Sequence, residues 1–422
     1  MRRPAKLRIH LVAVALLLAT VPSRADVIYR FNEGILFDGL FGPIAKAQAK
    51  ANAALVACGK PATAGADGKF GPGVRTALTS LAQCPDFASK LSGDSEARAG
   101  ALTQTYWDAL VGEPAPSVND RSRTLMLTYE ATDYTRMEWN FCQSRPLFDP
   151  PAGRRVCFSN DPRSYLTWGP NGATGGGGRE VQLILQAIDT ATPALIDQNF
   201  GAEANAVRRM FHMRDRDSAR SLETYLCGVW ADPARRARWK EGFETLGREP
   251  SVRDKFDGFY RSASLDGGKI ATFYRAYAEN GLVPTEVDYA FFKDRAAHTS
   301  PAFAPIRQAI ARLLASQPQA ARWKVRQAIA LNVRPGSQRA DRLGRDVAFY
   351  IDGAGTALGS EELSAWRARG KLRASDAGLA DTRNQPNFTP EPAIDTGIAQ
   401  PATLSDAERS ACPAAVLATQ RP

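Results

Sequence analysis

Two acidic side chains stand where acid–base chemistry could use them. Glu130 follows an apolar run, Leu125–Tyr129, and apolar surroundings favour the protonated form of a carboxyl group. Asp161 precedes Thr167 by six residues, and the threonine hydroxyl could hold a water molecule. Hydrolysis of a glycosidic bond needs one carboxyl group as proton donor and a second that activates water or stabilises the positive charge. We therefore predict Glu130, Asp161 and Thr167 as catalytic residues.

Each assignment has an alternative. Asp133 and Glu138 compete with Asp161 as the second acid, and Thr174 competes with Thr167. An ion pair between Glu130 and an arginine such as Arg136 would give Glu130 a purely structural role. Aspartate before proline is a common turn residue, so Asp161 also has a structural interpretation.

The surrounding pattern predicts the elements that would position these residues. Leu125–Tyr129 indicates the end of a helix, and the alternation in Tyr134–Phe141 predicts a strand. Tyr165–Trp168 is the expected returning strand, followed by glycine-rich residues 169–178, where the backbone must approach a neighbour closely. An apolar stripe at helical spacing then predicts a core helix, made of Val181, Ile184, Leu185 and Ile188.

Several other chemistries are excluded. No Gly-Lys-Ser/Thr follows Gly175–Gly178, which argues against a nucleotide site, and no Gly-x-Ser-x-Gly appears. No Cys-x-x-Cys occurs, and His212 and His298 are the only histidines after residue 25, so zinc is not expected. Without a basic run interleaved with aromatics, we expect no nucleic-acid partner. We predict no metal and no cofactor.

Four features follow one another in this region: Glu130 at a helix end, a hairpin bearing Thr167-x-Gly169, a glycine-rich turn and a core helix. This order resembles the lysozyme-like superfamily of glycoside hydrolases. The similarity is greatest to phage-type muramidases and bacterial chitosanases. The resemblance implies that Glu130 protonates the leaving oxygen while Asp161 and Thr167 position water. Around them, five residues are expected to contact the substrate: Tyr134, Trp168, Gly169, Asn171 and Thr174.

A second motif lies near the N-terminus. Asp67-Gly68-x-Phe70-Gly71, followed by Thr76-Ala77-Leu78, resembles the turn and helix of the small three-helix peptidoglycan-binding domain. The resemblance implies a separate domain at residues 26–95, with Asp67 and Phe70 as wall-binding residues. The alternative is a helical hairpin that only packs on the main domain.

The N-terminus and the cysteines indicate export. Four basic residues precede the apolar run Leu11–Val21, and Ser23-Arg24-Ala25 offers a cleavage site, as in a secretory signal peptide. Cleavage after residue 25 would remove five basic residues and no acidic ones, lowering the net charge from +10 to +5. Six cysteines allow fifteen pairings, of which proximity and elimination favour Cys58–Cys84, Cys142–Cys157 and Cys227–Cys412.

Together these patterns predict an α+β, mainly helical protein. Residues 1–25 are the signal, 26–95 the three-helix domain, 96–385 a two-lobed lysozyme-like domain with a small β-sheet, and 386–422 a Pro/Ala-rich tail. We expect an exported, cell-wall-associated glycoside hydrolase of the periplasm or exterior that cleaves a β-1,4-linked amino-sugar polymer, with peptidoglycan as the expected partner. Beyond the signal, no stretch could cross a membrane, and no nucleotide partner is expected. A non-catalytic wall-binding scaffold and a chitosanase are the alternatives.

Overall fold

The computed structural model describes residues 26–63, 65–130, 132–141, 164–170, 172–176, 179–213, 221–260, 266–298, 301–332, 339–351, 372–385 and 402–413. In these residues the protein is mainly helical, with three small antiparallel sheets. This agrees with the predicted α+β, mainly helical class. Among the described helices, none combines the length and apolar character needed to cross a bilayer.

Buried apolar side chains form two clusters, which divide the described chain into two lobes. The first cluster draws on residues 28–125 and 270–379, and the second on residues 134–259 with Leu404 and Cys412. The backbone therefore passes from the first lobe to the second just after Glu130. Phe259 still belongs to the second cluster, and Ile270 belongs to the first again.

The first lobe contains four short strands and eleven helices. The strands are β1 (Val27–Tyr29), β2 (Leu36–Phe37), β3 (Lys69–Phe70) and β4 (Leu102–Thr103). The helices are α1 (Pro43–Ala57), α2 (Pro72–Leu81), α3 (Pro85–Ala88), α4 (Ser95–Arg98), α5 (Gln104–Leu110), α6 (Val118–Glu130), α13 (Asp266–Glu279), α14 (Glu286–His298), α15 (Phe303–Ser316), α16 (Arg322–Asn332) and α17 (Arg339–Phe349). A 3₁₀ turn follows at Ala374–Ala377.

The second lobe consists of a three-stranded sheet and seven helices. The strands are β5 (Met137–Trp139), β6 (Ser164–Trp168) and β7 (Ala173–Gly176). The helices are α7 (Glu180–Ala191), α8 (Pro193–Phe200), α9 (Ala204–Phe211), α10 (Ser221–Ala231), α11 (Pro233–Leu246), α12 (Pro250–Tyr260) and α18 (Asp406–Ala411). A 3₁₀ turn at Gly201–Glu203 lies between α8 and α9.

Local sequence explains much of the second lobe. The sheet is a meander in which β6 pairs with both neighbours, with Glu138 opposite Thr167 and Thr167 opposite Thr174. The predicted strands around residues 134–141 and 165–168 are thus present as β5 and β6. Helix α11 begins with proline at its first position, as the sequence indicates, and the Asp232 carboxylate accepts hydrogen bonds from the amides of Ala234 and Arg235.

The core does not divide at residue 95, where a domain boundary was expected. Strand β1 pairs with β4, which brings Val27 beside Thr103, and Tyr106 donates a hydrogen bond to the Leu78 carbonyl at 2.6 Å. Helix α5 packs on α1 because α1 and α2 leave apolar surface that no helix within residues 26–95 covers. The N-terminal motif therefore belongs to the first lobe.

Two disulfides lie within the described residues. Cys58–Cys84 joins the end of α1 to the start of α3, and Cys227–Cys412 attaches α18 to α10. Arg209 and Glu408 add an ion pair at 2.6 Å that holds the same C-terminal segment. Both bonds match expected pairs and are compatible with an exported protein. Cys142 and Cys157 lie outside the described residues.

Asp38 is a buried carboxyl group at the start of α1. Its Oδ2 accepts a hydrogen bond from the Ile44 amide at 2.8 Å, and no described group donates to Oδ1. Gly42 gives it room, because a Cβ there would lie 2.2 Å from the Asp38 Cγ. Burial raises the pKa of Asp38 to about 7, an effect that the nearby Arg253 guanidinium opposes only in part.

We predict that Asp38→Asn stabilises the protein above pH 7 and leaves its stability unchanged below pH 4. The folded-state pKa of Asp38 is raised above its unfolded-state value. The stability that the protonated carboxyl group contributes is therefore complete below the unfolded-state pKa and is lost as pH rises to about 7. Relaxation around the ionised group reduces the full effect of such a shift, so at pH 8 we expect a gain of about 1–3 kcal/mol.

Chemical denaturation of both proteins from pH 4 to 8 measures this difference. Asp86→Asn, which changes an exposed carboxylate on α3, is the matched control and should alter the free energy of unfolding by less than about 0.5 kcal/mol at each pH. A constant difference between Asp38→Asn and wild type across this range would contradict the prediction.

Candidate active site

A pocket of about 310 Å³ lies where the two lobes meet. The end of α6 and the following loop form one side of it, and the β5–β6–β7 sheet with its glycine turn forms the other. Its lining residues are Glu130, Thr132, Arg136, Glu138, Thr167, Gly169, Pro170 and Gly172. The structure thus brings Glu130 and Thr167, predicted from segments more than thirty residues apart, to one pocket.

Glu130 is held by a buried arginine from a distant part of the chain. It is the last residue of α6, its side chain is 25% exposed, and its Oε1 accepts a hydrogen bond from Arg345 Nη1 at 2.6 Å. Arg345, on α17, is only 2% exposed. Its guanidinium also lies over the ring of Tyr129, 4.0 Å from the centroid. The carboxyl group therefore has a fixed position at the edge of the pocket.

Asp294 on α14 completes a triad with these two residues. Arg345 Nε donates to Asp294 Oδ2 at 2.7 Å, and Arg345 Nη2 lies 2.5 Å from Asp294 Oδ1. Burial alone would lower the pKa of Arg345, but the charges of Asp294 and Glu130 outweigh it and raise that pKa. The arginine is therefore charged in the interior.

This arrangement differs from the apolar environment expected for Glu130. Leu125 and Leu127 are fully buried in the first lobe, whereas the carboxyl group faces the Arg345 guanidinium. A positive charge at this distance favours the ionised carboxylate. The apolar residues before Glu130 thus place the end of the helix without surrounding its acid.

Glu138 is the second acidic residue of the pocket. Its Oε1 accepts hydrogen bonds from Arg136 Nη2 at 2.5 Å and Nε at 3.0 Å, and both side chains are exposed. Because Glu138 lies opposite Thr167 in the sheet, the two side chains share one face. An exposed ion pair contributes little stability, so a ligand can displace it at small cost.

Asp133, the other competitor for that role, is a structural residue. Its Oδ1 accepts hydrogen bonds from the amide and hydroxyl of Thr135, and its Oδ2 accepts one from the Leu40 amide. The side chain is buried. It shapes the loop between α6 and β5 and does not line the pocket.

The two candidate threonines have different surroundings. Thr167 lines the pocket, and its Oγ1 accepts a hydrogen bond from Asn140 Nδ2 at 2.6 Å, which leaves the hydroxyl proton able to point towards a ligand. Thr174 is bound through its amide to the Glu180 carboxylate at 2.8 Å. Thr174 thereby fixes the start of α7. Of the two threonines, only Thr167 lines this pocket.

Gly169 lines the pocket as expected, and its backbone explains why no other residue fits. Its φ is +76°, and a Cβ there would lie 2.4 Å from the Phe256 ring. Glycine is therefore required at this position for two reasons: the positive φ and the close approach of the Phe256 ring. Asp161 and Asn171 lie outside the described residues.

Three aromatic residues predicted to contact glycan are core residues. Tyr134 and Trp168 are buried and meet the Phe256 ring edge-on, and the Trp168 indole donates to the Tyr134 carbonyl at 2.8 Å. Phe70 is fully buried in the first lobe. These three predictions are wrong, because Phe70 on β3, Trp168 on β6 and Tyr134 in the loop before β5 are all packed inside the core. Asp67 is exposed, and its carboxylate closes the turn by accepting the Lys69 amide.

Arg345 and Asp294 belong to the candidate site and were not predicted from the sequence. They reach Glu130 from helices far along the chain, and no motif connects them. The available signal is weak: charged pairs, Asp294-Arg295 and Arg345-Asp346, within helical stretches. Within the described residues, no cluster of three His, Cys, Asp or Glu side chains could hold a metal ion.

Comparison with known proteins gives no relative: no protein-family description, no curated protein and no solved structure matches this chain.

We predict that Arg345→Gln lowers the free energy of unfolding by about 3–5 kcal/mol, because it leaves Asp294 buried without its positive partner. Arg136→Gln is the control, since it breaks an exposed pair and should cost less than about 1 kcal/mol. The double variant Arg345→Gln/Asp294→Asn should recover part of the loss. Thermal and urea denaturation measure all three, and equal stability of Arg345→Gln and Arg136→Gln would contradict the assignment.

Proposed function

We propose that the protein is an exported glycoside hydrolase that cleaves a β-1,4-linked amino-sugar polymer, with peptidoglycan as its substrate. The observation that carries this proposal is the pocket shared by Glu130, at a helix end of one lobe, and Thr167, on the hairpin of the other. A cleft between two lobes suits a chain-like substrate. Acidic groups on its opposite sides can act on the two sides of one bond.

Glu130 acts as the proton donor in this proposal. Arg345 neutralises only one of the two carboxylates that it contacts, and Asp294 already meets two of its nitrogens. When a bound glycan excludes water from the pocket, the ionised form of Glu130 becomes more costly, and protonating the carboxylate removes that cost. Arg345 meanwhile holds the carboxyl group in place through Oε1.

Glu138 and Thr167 act on the other side of the bond. Glu138 is released from Arg136 when a sugar displaces the exposed pair, and its carboxylate then serves the water-activating or charge-stabilising role. The Thr167 hydroxyl, oriented by Asn140, holds the water. Asp161 remains the alternative second acid predicted from the sequence.

A non-catalytic wall-binding protein is the second candidate. The observation that favours it is the ion pair of Glu130 with Arg345, which is also what a purely structural carboxylate would make. In that case the pocket would bind a glycan strand without cutting it. A chitosanase is the third candidate, and the positive net charge of the chain, which stays positive when residues 1–25 are removed, disfavours a cationic polymer.

We predict that Glu130→Gln lowers hydrolysis of purified peptidoglycan by between about 10²- and 10⁴-fold, the usual contribution of a positioned proton donor. Glutamine keeps the shape and an oxygen for Arg345 but cannot deliver the proton. Glu138→Gln should also lower the rate. The release of reducing ends measures activity on peptidoglycan and, in parallel, on chitosan.

Glu113→Gln is the matched control, because Glu113 is an exposed glutamate paired with Lys46 outside the pocket lining. It should hydrolyse peptidoglycan like wild type. Equal activity of Glu130→Gln and wild type would remove Glu130 from the mechanism. Binding to insoluble wall with no release of reducing ends by any of the proteins would favour the non-catalytic candidate.

A further inference from the structure

Large apolar side chains are exposed at six positions of the described chain, and three of them fall within seven residues. Ile35 is 48% exposed, and Leu40 and Phe41 are each 42% exposed. We refer to residues 35–41 as the apolar loop. Grouped exposed apolar side chains mark binding surfaces more often than single ones do, so the apolar loop is a candidate binding surface.

The apolar loop is held in place by its own backbone. Leu36 and Phe37 pair with β3, and the Asp38 amide donates to the Gly68 carbonyl at 3.0 Å. Gly39 and Gly68 are packed so closely that a Cβ on Gly68 would lie 2.1 Å from the Gly39 carbonyl oxygen. The side chains of the loop are thus presented by a fixed backbone, which lowers the entropy cost of binding.

The apolar loop is also attached to the rim of the pocket. The Leu40 amide donates to Asp133 Oδ2 at 3.4 Å, and Arg253 Nη1, from the second lobe, donates to the Phe41 carbonyl at 3.0 Å. Asp133 directly follows Thr132, which lines the pocket, and Arg136 lines it three residues later. The exposed Phe41 side chain is therefore carried by a backbone that contacts the rim loop directly.

We propose that Phe41, supported by Leu40, forms an additional sugar-binding subsite that extends the pocket along the same β-1,4-linked amino-sugar chain. The proposal rests on the proposed function for the identity of the polymer. The faces of a β-linked pyranose ring carry C–H groups, and a phenyl ring offers them a flat apolar surface with little side-chain entropy to lose.

The composition of the stretch that carries the apolar loop argues against a lipid surface. Residues 31–42 contain Glu33 and Asp38 but no lysine or arginine, and the guanidinium of Arg253 is engaged by the Phe41 carbonyl. Protein segments that bind membranes usually combine apolar side chains with basic ones that attract anionic lipids. Continuity with the pocket and the absence of basic residues in this stretch both favour the glycan.

Binding of N-acetylglucosamine oligomers tests the subsite. The measurements use the Glu130→Gln background, so that the oligomers stay intact, and compare a dimer with a hexamer. Phe41→Ala should weaken hexamer binding by about 3- to 10-fold, as expected for one aromatic contact, and leave dimer binding unchanged. Phe41→Trp should retain hexamer binding, and its unfolding midpoint should match that of the background protein.

Val283→Ala is the matched control, because Val283 is also 42% exposed but lies between α13 and α14, away from the apolar loop in sequence. It should bind the hexamer normally. Hexamer binding that is unaffected by Phe41→Ala, or absent altogether, would overturn the subsite. The subsite would also be overturned if Phe41 were required for binding to vesicles of phosphatidylglycerol and phosphatidylethanolamine but not for binding to the hexamer.

The two proposals fail separately. If the wild-type protein cleaves peptidoglycan and Phe41→Ala binds the hexamer normally, the function stands and the subsite falls. If the wild-type protein cleaves no glycan but hexamer binding depends on Phe41, the subsite stands and the hydrolase proposal falls.

Discussion

The buried guanidinium of Arg345 is the constraint on which the candidate site depends. Three helices of the first lobe each bring one member of the triad, and none of these charges can be left alone in the interior without a large penalty. The next residues of α14 and α17 repeat the arrangement, with Arg295 Nη2 2.5 Å from Asp346 Oδ2. The two adjacent ion pairs run in opposite directions, since α17 supplies the arginine of one pair and α14 supplies the arginine of the other. Both pairs form together only when α14 and α17 keep one register. The end of α6, and Glu130 with it, is fixed against that register.

The chain enters the second lobe through the short loop between α6 and β5, and this loop gives the pocket a defined shape. Asp133 uses its carboxylate to close the loop that follows α6, and Arg253 bonds the backbone of the apolar loop while its guanidinium lies 5.8 Å from the centre of the Tyr134 ring. Contacts between the lobes thus lie beside the pocket and limit how far it can open. Residues that looked catalytic or ligand-binding in the sequence, Asp133 and Tyr134, serve this purpose.

Local patterns predicted the parts of the site that depend on local physics. Period-two alternation indicated β5, the returning strand β6 followed from it, and the glycine-rich stretch from Gly169 indicated a tight turn with close backbone approach, where the structure has Gly169 at a φ of +76°. The Glu130–Arg345 pair could not be predicted, because its members are 215 residues apart and charge alone does not select a partner. The sequence also does not show that Trp168, next to the pocket-lining Thr167, is fully buried, so the resemblance suggested a ligand contact where the structure has a core residue. The merging of residues 26–95 with α13 and later helices is a long-range packing effect of the same kind.

The charge of the pocket narrows the class of polymer. Among the described lining residues, Glu138 is matched by Arg136, and Glu130 shares Arg345 with Asp294. Each carboxylate therefore already has a guanidinium within ion-pair distance. A polycation such as chitosan would have to compete with these arginines for the same carboxylates, and it would meet the positive charge of the exposed Arg136. N-acetylglucosamine carries no charge and could displace the exposed Arg136–Glu138 pair by hydrogen bonding alone, so this charge distribution supports the proposal of an acetylated amino-sugar polymer over that of chitosan.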